Sequence, residues 1–594
     1  MNTTTPEKTS PSNPWRQLRR CLVGLAVCLT LICLYYTEEL WRGQRDWAIA
    51  KSRLEAKGVN LNWTANIPAP VPDDQNVFGV PEMQKWFVGR GDAGWIDLCK
   101  KMSSMTYPGI SMTNSPRMVV AELTTGLPGT PMPDGVTALR WDDPASRTEA
   151  AGVLTNVLGP TTSAPESVVG LGLILRSPAE IRPARIFLQC QTAPTEQQLQ
   201  QFLPDAIFHA HTYETNRLLN FERDGQGSYH VTMPKLVKVG DYLAWSDQLQ
   251  PPFSLIRQAL QRPYARMEAN YVEPIHVPIP CFVSVRHFEQ ILGARAECHF
   301  LLGQPEEALP ELTLIHESCH PLMEQNQPMT LVGAMINVAV RGLYANVVDD
   351  GLRLHVWREP QLAALEEQLK TINVLPAVKK AFEMERVSSC RTLETMSPVE
   401  LMDLFMDSSE GGKTNAWKVL KNRVLGALLP RGWLYQNMVT GANLNIDFEA
   451  LVDSGGGMIY PDKVEALQGK LRALSHGSPY AFFITISTPN YLRAWQATAH
   501  GQTQVNQALI VCALERYHLA HGDYPEKLES LMPQYLDDVP HDVIGGQPPH
   551  YRRAADGTFV LYSIGWSGRD HNGAPGNAIY QPYSFTDGDW IWPD

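Results

Sequence analysis

The 594-residue chain is 44% hydrophobic, enough apolar material for sizeable cores in two to four domains. Its formal charge of −12, with no long Lys/Arg run, argues against nucleic-acid binding. The charge is uneven: Lys8, Arg16, Arg19 and Arg20 against Glu7 give residues 1–20 a net +3, which leaves −15 on the remainder.

Residues 21–36 read CLVGLAVCLTLICLYY and carry no charge. A span needs about 20 residues, and Thr37 with Leu40-Trp41 extends this one to 21–41. Trp15, Tyr35, Tyr36 and Trp41 place aromatic rings at both ends. The basic flank predicts a cytoplasmic tail (1–20), with everything after residue 41 facing the opposite side. Leu34–Glu39 holds no small-residue cleavage site, so the segment reads as an uncleaved single-pass signal anchor.

Residues 42–81 form a stalk. Trp47, Ile49, Ala50 and Leu54 recur at helical spacing, Gly58 ends the helix, and Pro68, Pro70, Pro72 and Pro81 make an extended spacer. Residues 82–251 read as a small α+β domain. Met118–Leu123 and Arg185–Cys190 suit strands, and Thr195–Leu203 suits a short helix. Leu218–Arg223, Asp224-Gly-Gln-Gly and Ser228–Thr232 suit a hairpin.

Residues 252–500 read as an irregular α-helical array without a strict repeat period. His287–Leu302, a Gly303-Gln304 turn and Pro305 onward make a helical hairpin. Leu331–Val347 is strongly apolar and Leu362–Leu369 is amphipathic. The ten cysteines are scattered without a C-x-x-C pair, which predicts buried small hydrophobes rather than a disulfide framework.

His316-Glu-Ser-Cys-His320 matches H-E-x-x-H, in which two His one helical turn apart hold zinc and the Glu activates water. This motif defines the alternative function: a zinc-dependent metallopeptidase with His316 and His320 as ligands and Glu317 as the catalytic base. Pro321 directly after the motif, with Met323 and Asn326 at the Gly and His places of the extended pattern, favours two His at a helix C-terminus instead. Gly411-Gly-Lys-Thr414 resembles the end of a P-loop, but Asp407 stands where the first Gly belongs, so no nucleotide is expected. Gly565-Trp-Ser-Gly568 lacks the final Gly of a nucleophile elbow, since Arg569 is there. Ser454-Gly-Gly-Gly-Met458 reads as a loop.

The last segment, 501–594, runs Gln507–Tyr517, His521-Gly-Asp-Tyr-Pro525, Glu526–Met532, Tyr551-Arg-Arg553, Phe559–Gly565 and Gly568-Arg-Asp570. That order resembles the soluble head of the major pseudopilin of type II secretion. The resemblance implies a helix, a Tyr-Pro turn, a short helix and a small antiparallel sheet. It also implies a bacterial envelope protein that binds rather than catalyses, in or near secretion-like machinery. Pseudopilin heads of the major class hold calcium in a loop near their C-terminus. Matched by position, that implies Asp570, Asn572, Asp587 and Asp589 as oxygen ligands. Pseudopilins enter a filament through an apolar helix beside the head, and Tyr491–His500 is too polar for that role. A docking head without its stem is therefore expected.

Gln258–Pro263 and Pro430–Asn437 resemble parts of large membrane-anchored proteins of planctomycete and verrucomicrobial bacteria, a resemblance that implies no particular activity. The expected whole is α+β and multi-domain, anchored in a bacterial inner membrane by its transmembrane helix. Its bulk faces the periplasm and serves a non-catalytic interaction or scaffolding role among envelope proteins.

Overall fold

The computed structural model describes residues 14–89, 239–322, 330–406, 416–453, 457–474, 478–555, 557–574 and 588–592. Residues 94, 97–98 and 455 and strand segments between 105 and 236 are also described. The protein is mostly helical, with an apolar N-terminal helix and a small antiparallel sheet at the C-terminal end.

Helix α1 (Pro14–Ala56) is 43 residues long and joins two different surfaces. Residues 18–35 are exposed all round, although they are the most apolar part of the helix. From residue 39 onward a buried stripe appears: Glu39, Gly43, Trp47, Ala50 and Leu54, spaced three or four apart. That is the period of one helical face packed on a core. Ile49, expected on this stripe, faces outward. Gly58, at φ 80°, follows the helix as expected.

The strands between 105 and 236 include the two expected from sequence. β2 (Arg117–Leu123) pairs antiparallel with β5 (Arg185–Cys190), Val119 opposite Leu188. They sit in a six-stranded sheet with β3 (Val136–Arg140), β4 (Val168–Ile174), β6 (Ala206–Ile207) and β7 (Thr212–Tyr213). β8 (Phe221–Arg223) and β9 (Tyr229–Val231) form the expected antiparallel pair, and β1 (Met105–Thr106) pairs parallel with β10 (Lys235–Leu236). The Asp224-Gly turn and the helix expected at 195–203 lie outside the described residues.

The helical body follows. α2 (Pro81–Phe87), α3 (Val239–Ser246) and α4 (Gln250–Leu260) lead to the expected hairpin of α5 (Phe282–Leu301) and α6 (Pro305–Ser318), with Gly303 at φ 69° in the turn. α7 (Leu331–Arg353) is long and apolar enough to cross a membrane, but it is largely buried in the body and is a core helix. Its first turn is capped by the Thr330 hydroxyl, which accepts from Gly333 N at 3.0 Å. α8 (Glu359–Lys370), α9 (Leu375–Thr395), α10 (Pro398–Met406), α11 (Ala416–Ala427), α12 (Arg431–Glu449) and α13 (Pro461–Ala473) complete the array.

α14 (Phe482–His521) runs 40 residues through the body, against α7, α8 and α12, and on into the C-terminal segment. Gly522 ends it in a left-handed turn, donating to His518 O at 2.8 Å. The sheet beyond it has the order β13 (His550–Arg553), β14 (Phe559–Ser563), β15 (Trp590–Trp592), all antiparallel. The short helix expected at 526–532 is a single 3-10 turn, Leu528–Leu531.

One hydrophobic cluster extends from Trp63 to Trp590. Residue 500, the expected limit of the helical domain, lies inside α14, and residue 251 lies inside α4.

Candidate functional site

Three places bear on function: the H-E-x-x-H segment, the C-terminal loop, and the junction of α1 with the body.

α6 ends at Ser318 because Cys319 caps it, and His320 opens a 3-10 turn, His320–Leu322. His316 therefore sits on the last helical turn and His320 beyond it. Arg341 Nη1 donates to His316 Nδ1 at 2.9 Å and to His316 O at 3.2 Å. A guanidinium only donates, so Nδ1 accepts and the ring proton lies on Nε2, 3.4 Å from Thr371 Oγ1. Burial, reinforced by Arg341, pushes the His316 pKa down to about 4. The ring is neutral, with its free lone pair already taken by a cation.

His320 is half-buried, and burial lowers its pKa too. Its Nδ1 has no hydrogen-bond partner among the described residues. Burial raises the Glu317 pKa, opposed by Arg257. The Ser318 hydroxyl donates to Glu289, a wholly buried carboxyl held well above its usual pKa by desolvation. Among the described residues no group of three or more His, Cys, Asp or Glu side chains is arranged to hold a metal. His316 ties α6 to Arg341 of α7, and Ser318 ties it to Glu289 of α5.

The C-terminal loop is built around Asp589. Its buried carboxylate accepts from His571 N at 3.1 Å and from Gly573 N at 2.8 Å. Asp570 caps the same turn, accepting from Asn572 N at 2.7 Å and from the Tyr562 hydroxyl at 3.2 Å. The backbone donor at Asn572 is the main cause of its lowered pKa. Asn572 itself is left-handed, at φ 59°. Asp570, Asn572 and Asp589 are therefore brought into one loop, whereas Asp587 lies outside the described residues. Backbone N–H groups occupy carboxylate lone pairs that a cation would otherwise use.

A second buried carboxylate, Asp542, knots the segment before β13 to the sheet. It accepts from Ile544 N at 2.9 Å, Ser563 Oγ at 2.8 Å and Ile564 N at 3.0 Å. Sequence reading missed it; its only signal was an Asp two residues after Pro540 and just before a Gly-Gly turn. Ser567 sits between Gly565 (φ 63°) and Gly568 (φ 64°) in a tight turn, its hydroxyl facing Ile564 O. β11 (Val452–Asp453) pairs antiparallel with β12 (Met458–Ile459), while Ser454 and Gly456 of the glycine cluster lie outside the described residues. Residues 407–415, which include the P-loop-like stretch, lie outside the described residues.

The C-terminal segment is fastened to the body through charged and polar contacts. Arg516 binds Glu366 at 2.6 Å and Glu359 at 2.7 Å on α8. Trp592 Nε1 donates to Asp349 of α7 at 2.8 Å, and within the segment Gln507 Nε2 donates to Trp590 O at 2.8 Å. The exposed residues of this segment include the loop at 569–572 and Arg552 of the sheet.

At the third place α1 leaves its bare stretch. The Tyr36 hydroxyl donates to Leu428 O at 2.5 Å. Buried Glu39 accepts from Arg42 and, at 3.1 Å, from the Tyr480 hydroxyl, so its charge is compensated where the helix enters the body. Asp46 accepts from Gln436 Nε2 at 2.7 Å.

Comparison with protein-family models, with curated proteins and with solved structures finds no match.

Proposed function

We propose that this chain is a single-pass membrane-anchored envelope protein whose body serves as a non-catalytic scaffold, with its C-terminal sheet and loop as the docking face. The observation that carries the reading is the two-part character of α1. Its residues 21–35 expose a charge-free, largely apolar surface, and its residues 36–56 are locked into the body. Water disfavours the first surface, and a bilayer core about 30 Å thick accommodates it. The basic residues before the span favour a cytoplasmic N-terminus and a periplasmic body at a bacterial inner membrane.

The non-catalytic part rests on how the reactive side chains are used. His316 is held by Arg341, and Asp589 by backbone amides. The exposed loop and Arg552 offer a polar, pseudopilin-head-like surface for another envelope protein.

The test is crosslinking and pull-down of the full chain from its native membrane, with metal analysis of the same material. Arg552→Glu with Arg569→Glu should remove a partner, and Glu317→Gln should leave the partner profile unchanged. Stoichiometric zinc that disappears in His316→Ala would contradict the reading and favour a peptidase.

A further inference from the structure

Leu420, Val424, Leu425 and Leu428 follow one another along α11 and its C-terminal end. Their spacing places them on one helical face, and they are 52%, 50%, 43% and 61% exposed. The opposite side of α11 is used. Asn422 and Gly426 are buried, and Gly426 sits so close to the Val399 backbone that a Cβ there would overlap it. Arg423 reaches Asp403 of α10 at 3.7 Å, and Leu404 beside it is 50% exposed. Lys421 and Arg423 are exposed along the same helix. The exposed side of α11 thus combines these four apolar side chains with Lys421 near its start, and such a face calls for a partner.

The pairing of α1 with α12 says where this face lies. Tyr36 meets Leu428, Glu39 and Gly43 meet Gly432, and Asp46 meets Gln436. Both chains advance together, so the helices run parallel. Moving from Gly432 to Leu428 therefore moves toward the bare end of α1. Tyr36 closes the uncharged run 21–36. α11 ends one residue before Leu428, at the level where the span would leave the hydrocarbon.

We propose that the exposed face of α11 lies in the headgroup zone of the bilayer that α1 crosses, with the lipid surface as its occupant. The proposal rests on the anchoring reading. A helix that exposes apolar side chains together with a cation inserts in this way, its leucines toward acyl chains and Lys421 toward phosphates. Two attachments, one through the bilayer and one along it, fix how the body stands on the membrane.

The test uses the full chain in phosphatidylcholine/phosphatidylglycerol vesicles, with a fluorescent amino acid incorporated at position 425, 519 or 25. Each position is exposed, so the probe leaves the core intact. Lipids carrying a shallow nitroxide quencher report contact with the bilayer. The expected result is loss of emission at 425 comparable with that at 25, and none at 519. Quenching at 25 without quenching at 425 overturns the proposal and leaves the anchor standing. No quenching at 25 overturns both. Blue-shifted but unquenched emission at 425 also overturns the proposal, because protein, such as a second copy, then covers the face.

Discussion

Gly43 of α1 and Gly432 of α12 meet backbone to backbone: a methyl group on either would overlap the other strand of the contact, at Gly432 O or at Glu39 O. This close approach lets the apolar N-terminal helix continue into the body as one helix. Gly432→Ala is expected to destabilise the body by about 1–3 kcal/mol, the usual cost of overpacking. Gly24→Ala, in open surroundings on the bare stretch, should be neutral. Denaturant unfolding of the two variants in detergent checks the difference.

His316 makes stability depend on pH. Its folded pKa, about 4, lies below its ordinary value near 6.5. The unfolded chain therefore binds the proton more readily. The contribution is complete above pH 6.5 and is lost as pH falls toward 4. Relative to His316→Asn, the native chain should lose about 2–3 kcal/mol between pH 7 and pH 4. Comparing the two cancels the titration of Glu289 and other groups common to both. Parallel pH profiles of unfolding would show that the ring is not held neutral.

Asp589 organises its loop as an acceptor for amides. Asp589→Asn swaps one acceptor oxygen for a donor that faces the His571 and Gly573 N–H groups. A loss of about 1–3 kcal/mol follows from leaving buried donors unpaired. The loss should be the same with chelator and with calcium at about 1 mM, in the range of weak extracellular sites. A melting temperature of the native chain that rises with calcium would place the ion, rather than the amides, at the centre of the loop.

The parts of the fold legible in sequence are those where composition and burial agree. Gly58 and Gly303 mark helix ends because each adopts a positive φ. Met118–Leu123 and Arg185–Cys190 are apolar, β-prone runs and do pair. α14 is the opposite case. Tyr491–His500 looks polar, yet Gln496, Thr498, Gln502, Thr503 and Gln507 are buried. Three of them pair inside: Thr498 donates to Ala494 O at 2.6 Å, Gln502 accepts from Val374 N at 2.9 Å and donates to Ile372 O at 3.1 Å, and Gln507 donates to Trp590 O at 2.8 Å. Such pairing removes the desolvation cost that ordinarily keeps glutamines at the surface. It also erases the apolar periodicity from which helix and boundary are read. The H-E-x-x-H match carried no trace of Arg341, 25 residues away, whose guanidinium decides what His316 can do.

Protease treatment of spheroplasts shows whether α1 crosses the bilayer and leaves the body outside. The chain would carry an epitope tag at its N-terminus, and its membranes would then be washed in carbonate. The expected result is a carbonate-resistant, uncleaved chain whose body is digested from outside, while a tagged fragment ending near residue 41 is protected. A carbonate-soluble chain, a mature form lacking the tag, or a body protected from the protease would contradict it.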